Sequence, residues 1–158
     1  MKINSVNLSD VTTYRFGGIC DNFISFDSES DTGQLVELCK GKNNVVLGKG
    51  SNIAFSDKKF KDNIISPQFF NIDYVEENQL KVGSSVYLPK LSRYFKNQQL
   101  SNGEFLIGIP GTVGGAIKMN AGAYGWEFSD LLINIDCFDL DSLEFETLNK
   151  EDMNFTYR

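Results

Sequence analysis

Two glycine-rich stretches hold the residues best suited to gripping a ligand through the main chain. The first, "LGKGSN" (47–52), follows an apolar run. Without a Cβ, Gly48 and Gly50 can adopt positive φ and admit a ligand to the backbone. Successive amides there, from Gly48 through Lys49 to Asn52, form a concave anion nest, with Ser51 and Asn52 adding side-chain donors. Pyrophosphate is a natural guest. A lone Gly-x-Gly is nevertheless more often an ordinary turn at the end of a strand. Standard nucleotide motifs are missing: Gly48-Lys49-Gly50 lacks the third glycine and following helix of a dinucleotide fingerprint, and there is no Gly-x4-Gly-Lys-Ser/Thr.

The second stretch, "GIPGTVGGAIKMNAGAYG" (108–125), contains six of the chain's fourteen glycines and one formal charge, Lys118. Pro110 pre-sets a turn, while Gly111, Gly114 and Gly115 clear space along the backbone. Asn120 offers an amide, and Ala121, Gly122 and Ala123 make a low wall. A large flat ligand lying against main chain wants such a surface. Two elements packed tightly through small residues want the same one, and the residues alone leave both readings open.

Other chemistry is bounded by what the composition lacks. The sequence has no histidine, which removes Ser-His-Asp and Cys-His catalysis and His-ligated metals. Cys20, Cys39 and Cys137 are odd in number and far apart, fitting neither a disulfide framework nor a zinc site, so no metal is expected and a reducing cytoplasm is the simplest home. A net charge of −6 with scattered lysines argues against nucleic acid. The opening residues show no apolar signal core, and no run reaches the ~20 apolar residues that span a bilayer.

The elements that must position the two stretches follow from periodicity. "DNFISF" (21–26) reads as a strand, and "SDTGQLVELCK" (30–40) as a helix capped by Ser30 or Asp31 with Leu35, Leu38 and Cys39 on one face. "NNVVLGKGSN" (43–52) reads as a buried strand entering the first glycine turn, completing a strand–helix–strand unit. Residues 62–66 form a further strand, and 71–86 a hairpin turning at Glu76–Asn78. A helix is expected over 89–100, with Leu91, Tyr94, Phe95 and Leu100 as its apolar stripe. Residues 131–140 and 143–148 alternate as a second hairpin, followed by a helical turn capped by Asn149. A chain of 158 residues with 41% hydrophobic content can bury a core, as one domain or two small lobes. The change of composition near Pro67 divides it into lobes 1–67 and 68–158, the second a mostly antiparallel sheet with helices.

"TYRFGG" (13–18), "LGKGSN" (47–52), "GIPGTVGGAIKMNAGAYG" (108–125) and the terminal "FTYR" (155–158) resemble, in order and spacing, the motifs of the UDP-N-acetylenolpyruvoylglucosamine reductases, or UDP-N-acetylmuramate dehydrogenases. The resemblance implies a two-lobed α+β fold that holds FAD, without the family's C-terminal substrate domain. It implies cofactor contacts from Gly48, Lys49, Gly50, Ser51 and Asn52 at the pyrophosphate. Ile109, Pro110, Gly111, Thr112, Gly114 and Gly115, with Asn120, Gly122, Ala123 and Gly125, would line the remainder. It implies NADPH as hydride donor and reduction of UDP-N-acetylglucosamine enolpyruvate to UDP-N-acetylmuramate in peptidoglycan precursor synthesis. Arg158 matches the family's active-site arginine, a bidentate grip for the substrate carboxylate; Arg15 reads as a surface charge.

The family's third lobe, which supplies the proton-donating serine, has no counterpart in these residues. The expectation is therefore a catalytically incomplete chain, with an incomplete UDP-sugar site, that self-associates or needs a complementary C-terminal polypeptide. The alternative is a non-catalytic flavin-binding or assembly module. A different flavin oxidoreductase using Tyr124, Cys137 or a carboxylate as acid comes third.

Overall fold

The computed structural model describes residues 1–140, 142 and 144–156; Arg158 lies outside the described residues. The chain begins with a four-stranded sheet in the order β1-β2-β4-β3, formed by β1 (Lys2–Asn7), β2 (Ile19–Phe26), β3 (Asn44–Val46) and β4 (Asn63–Pro67). β1 runs antiparallel to β2, whereas β2, β4 and β3 are parallel. Helix α2 (Thr32–Cys39) makes the crossover between β2 and β3. The short α1 (Leu8–Val11) follows β1.

β4 is the central strand, and Asn63, Ile64, Ile65 and Ser66 are all buried, as a strand covered on both faces requires. Two small cores flank it. Ile64 packs with Leu8, Cys20 and Leu47, and Ile65 with Ile24, Leu35 and Cys39. The one amide in the strand, Asn63, is satisfied by donating to Leu38 O and Asn44 Oδ1, both at 2.9 Å.

Neither expected residue caps α2. A 3₁₀ turn at Glu29–Asp31 precedes the helix, and Ser28 Oγ accepts from Ser30 N at 3.2 Å. Asp31 stands at the cap position but makes no capping bond, because Oδ2 receives the Met1 ammonium at 2.9 Å.

Among the described residues beyond Pro67, the strands form three two-stranded hairpins rather than a continuous sheet: β5 (Ile72–Glu76) with β6 (Gln79–Val82), β7 (Gly122–Ala123) with β8 (Trp126–Glu127), and β9 (Asn134–Phe138) with β10 (Phe145–Asn149). Helix α3 (Leu88–Asn97) carries Pro89 in its first turn. It stops three residues short of Leu100 because Gln99 turns left-handed, at φ 58°. Asn149 precedes a 3₁₀ turn, Lys150–Met153, without capping it. A single core gathers Val86, Leu88, Leu91, Phe105, Leu106 and Val113. Phe69, just past the first sheet, makes an edge contact with Phe26 of β2, with ring centroids 5.4 Å apart. Architecture and content are α+β.

Candidate functional site

The loop after β3 is held from behind. Leu47 N donates to Ile65 O at 2.8 Å, extending the β3–β4 ladder to the lip of the turn. Gly50 turns at φ +67°, and a Cβ there would collide with the carbonyl of Val11 and the backbone of Thr12. Its own carbonyl accepts from Thr13 N at 2.9 Å. Buried Thr12 ties that backing together, with Oγ1 within hydrogen-bond reach of Leu8 O (3.0 Å) and Phe16 O (3.2 Å).

With its carbonyl side anchored, the loop keeps its donors free. Among the described residues, the amides of Gly48, Lys49, Gly50, Ser51 and Asn52 donate to no protein acceptor. Gly48, Lys49 and Asn52 are exposed and Ser51 is half-buried. Five consecutive unpaired N–H groups beside a lysine can bind an anion.

The second stretch is stitched to residues 84–88. Leu88 N donates to Gly111 O (3.0 Å), Val113 N to Val86 O (3.0 Å) and Gly114 N to Ser84 O (2.8 Å). Thr112 then caps a short helix, α4 (Val113–Met119), accepting from Gly115 N at 3.4 Å. The first amides of α4 therefore already have protein acceptors. Pro110 and Gly115 are exposed, Ile109 is half-buried, and Gly111 has open space where a Cβ would project. Gly114 instead faces protein, with a Cβ falling 3.2 Å from Ser84 Cβ. The two stretches meet where Gly48 abuts Thr112 Oγ1.

Past α4 the expected residues make contacts within the protein. Asn120 is buried and left-handed, and its side chain is bonded to Glu127, Ser129 and Thr156. Gly122 lets β7 lie against the Trp126 carbonyl, Ala123 is its paired neighbour, and Gly125 turns the hairpin at φ +85°. Tyr124 projects from that turn, 86% exposed. Cys137 belongs to β9, its thiol near Glu146 Oε1 at 3.7 Å and pushed up first by burial and then by that carboxylate. Arg15 is exposed at φ 56°.

Two half-open depressions lie elsewhere. One of about 280 Å3 is lined by Asn102, Glu104, Phe105, Tyr124 and Trp126; a second, of about 520 Å3, lies against β1 and β2. Neither includes a residue of 48–52 or 108–115. The residues missed from sequence are those behind these two stretches. Thr12, Thr13 and Ser84–Val86 carried only the weak signal of small polar side chains next to apolar ones. Among the described residues, no helix is long and apolar enough to cross a membrane, and no cluster of three or more potential metal ligands occurs.

Comparison with known proteins gives the same stretches a context. The chain is 38% identical over 156 residues to the UDP-N-acetylenolpyruvoylglucosamine reductase of Rickettsia canadensis (strain McKiel), covering 96% of this chain and 52% of that one. It is 37% identical over 155 residues to the reductase of Rickettsia bellii (strain RML369-C), covering 96% and 51%. The crystal structure of UDP-N-acetylenolpyruvylglucosamine reductase from Thermus caldophilus aligns with a TM-score of 0.81 at 30% identity, covering 100% of this chain and 56% of that one. The chain thus spans about half the length of the curated relatives it matches. A family model described as "FAD binding domain" matches residues 16–143. With an unpaired amide nest inside that match, the chain belongs to the family of FAD binding domains.

Proposed function

We propose that this chain is the FAD-holding part of a UDP-N-acetylenolpyruvoylglucosamine reductase, divided near Pro67 into two lobes that meet at the cofactor. The observation that carries the reading is the row of free amides from Gly48 to Asn52, abutting the second glycine stretch at Thr112. These residues fit FAD: the nest and Lys49 take the pyrophosphate, and the open backbone at Gly111 and Gly115 admits a planar ring. Bound FAD would supply hydride relay from NADPH to the enolpyruvyl double bond of a UDP-sugar.

The chain's own residues bind, orient and polarise. The amides hold phosphate charge without a cation to expel, and the apolar core behind 84–88 and 111–114 keeps the second wall rigid. Arg158 would grip the substrate carboxylate through two parallel bonds and stabilise the negative charge that develops beside it. Among this chain's residues we assign no proton donor, and the sugar-nucleotide site is incomplete. Exposed Ile133 and Phe145 favour a covering polypeptide or second copy on the β9–β10 hairpin. Three free thiols fit a reducing cytoplasm.

The test is direct. The purified chain titrated with FAD should show saturable binding and a perturbed oxidised-flavin spectrum. Anaerobic NADPH bleaching that flavin extends the reading to the reductive half-reaction, whereas an inert bound flavin makes the chain a cofactor module. Absence of any FAD binding sinks the reading.

A further inference from the structure

Asn120 was expected at the cofactor, but every donor in its side chain is already engaged. It ends α4 in the left-handed region (φ 40°, ψ 53°) and is 6% exposed. Oδ1 accepts from Ser129 N at 3.1 Å, and Nδ2 donates to Glu127 Oε2 at 2.6 Å and to Thr156 O at 3.4 Å. An amide nitrogen carries two hydrogens, so no side-chain donor remains to offer a ring edge. One of those hydrogens reaches across 36 positions of sequence to the residue two before Arg158.

We propose that Asn120 is a positioning residue that anchors the segment carrying Tyr157 and Arg158, and is not a ligand of the cofactor. The inference rests on the reading of Arg158 as the carboxylate grip. Helix α4 then acts as a strut. Thr112, at one end, is seated on Gly48 of the anion loop; Asn120, at the other, holds Thr156. The eight steps from Thr112 to Asn120, at about 1.5 Å each, set these ends roughly 12 Å apart. The strut sets the distance between phosphate binding and the segment at Thr156, because one helix joins the Gly48 contact to the Asn120 hydrogen bonds.

Two variants test this. Asn120→Gly keeps the left-handed backbone while deleting all three side-chain bonds. The exchanged pair Asn120→Asp/Glu127→Gln is the sharper probe. It conserves charge, keeps the acceptor for Ser129 N and reverses the donor between positions 120 and 127, yet leaves Thr156 O without a donor. In both, the 15N order parameter of Thr156 should fall from the rigid range, about 0.85, to below about 0.6. The melting temperature of the exchanged pair should stay at the wild-type value, and FAD affinity should remain within about twofold of it.

An unchanged order parameter at Thr156 in the exchanged pair overturns the clamp. So does a tenfold or greater loss of FAD affinity, which would make Asn120 a cofactor ligand. If Asn120→Gly does not fold, the exchanged pair decides alone. A wild-type chain that binds no FAD would remove the reductase reading, while the order parameter would still decide whether Asn120 holds Thr156.

Discussion

Thr112 Oγ1 fills the space that a side chain on Gly48 would require, so one hydroxyl joins the two glycine stretches. That hydroxyl also caps α4 by accepting from Gly115 N. A methyl at position 48 must displace it. Gly48→Ala is expected to lose about 1 kcal/mol of capping and about 1–3 kcal/mol through overpacking, with FAD affinity down at least tenfold. Adding Thr112→Ala restores room but not the cap, so the two substitutions should couple by at least about 0.5 kcal/mol in thermal unfolding. Strict additivity would show that the contact carries no energy.

Gly114 and Gly115 are adjacent yet face different neighbours. A Cβ on Gly114 lies 3.2 Å from Ser84 Cβ and 3.3 Å from Ser84 O, whereas one on Gly115 has Thr112 Oγ1 at an ordinary 3.5 Å. Gly114→Ala should destabilise the cofactor-free chain by about 1–3 kcal/mol. Gly115→Ala should stabilise it, by up to about 1 kcal/mol, through helix propensity. Any loss of FAD affinity at position 115 then reports contact with the cofactor. Equal melting temperatures for the two variants would contradict this division.

Lys81 Nζ and Asp136 Oδ2, 2.6 Å apart, tie the β5–β6 hairpin to β9, and Thr147 Oγ1 donates to Asp136 Oδ1 at 2.7 Å. The lysine's hydrogen bond, then that of Thr147, holds the Asp136 carboxyl below its ordinary range. A lowered folded pKa stabilises fully above the unfolded value and loses that contribution as pH falls through the folded one. Both groups are more than half exposed, so solvent screening limits Asp136→Asn to a loss of about 0.2–1 kcal/mol at neutral pH. The gap to wild type should close on acidification below the usual carboxylate range and shrink in high salt. A gap independent of pH would assign the effect to packing.

Burial pushes the thiols of Cys20 and Cys39 up, and burial followed by Glu146 does so for Cys137. Thiolate is the reactive form. Mass spectrometry after mild alkylation of the folded protein should find slow labelling of Cys137 and none of Cys20 or Cys39. Glu146→Gln should accelerate Cys137 labelling a few-fold. Labelling of Cys20 at the rate of Cys137 would mean the first sheet opens locally.

Periodic elements were legible: α2, β4, the β5–β6 hairpin and α3 lie close to where apolar spacing puts them. β1 was not. Its six residues bury almost nothing, and "KINSVN" pairs because the edge of β2 offers a ladder. Helix α4 was hidden by Gly114 and Gly115; it forms because Thr112 caps it and Val113 and Ala116 enter the core. Glycine-rich sequence announces close approach but not the approaching group. For Gly48, Gly114 and Gly122 that group is the protein itself, whereas at Gly111 the side is open and at Gly115 a Cβ would meet Thr112 Oγ1 only at an ordinary contact distance. Asn120 illustrates the same limit, since a polar residue after a helix reads alike as donor to a ligand or anchor to a distant segment.

Because β4 inserts between two strands that precede it in the chain, the loop after β3 emerges before the strand that braces it through Leu47. A growing polypeptide therefore exposes Gly48–Asn52 before the Ile65 carbonyl that accepts from Leu47 N is in place. Flavin capture would then reward completed insertion and drain half-assembled forms toward the native sheet.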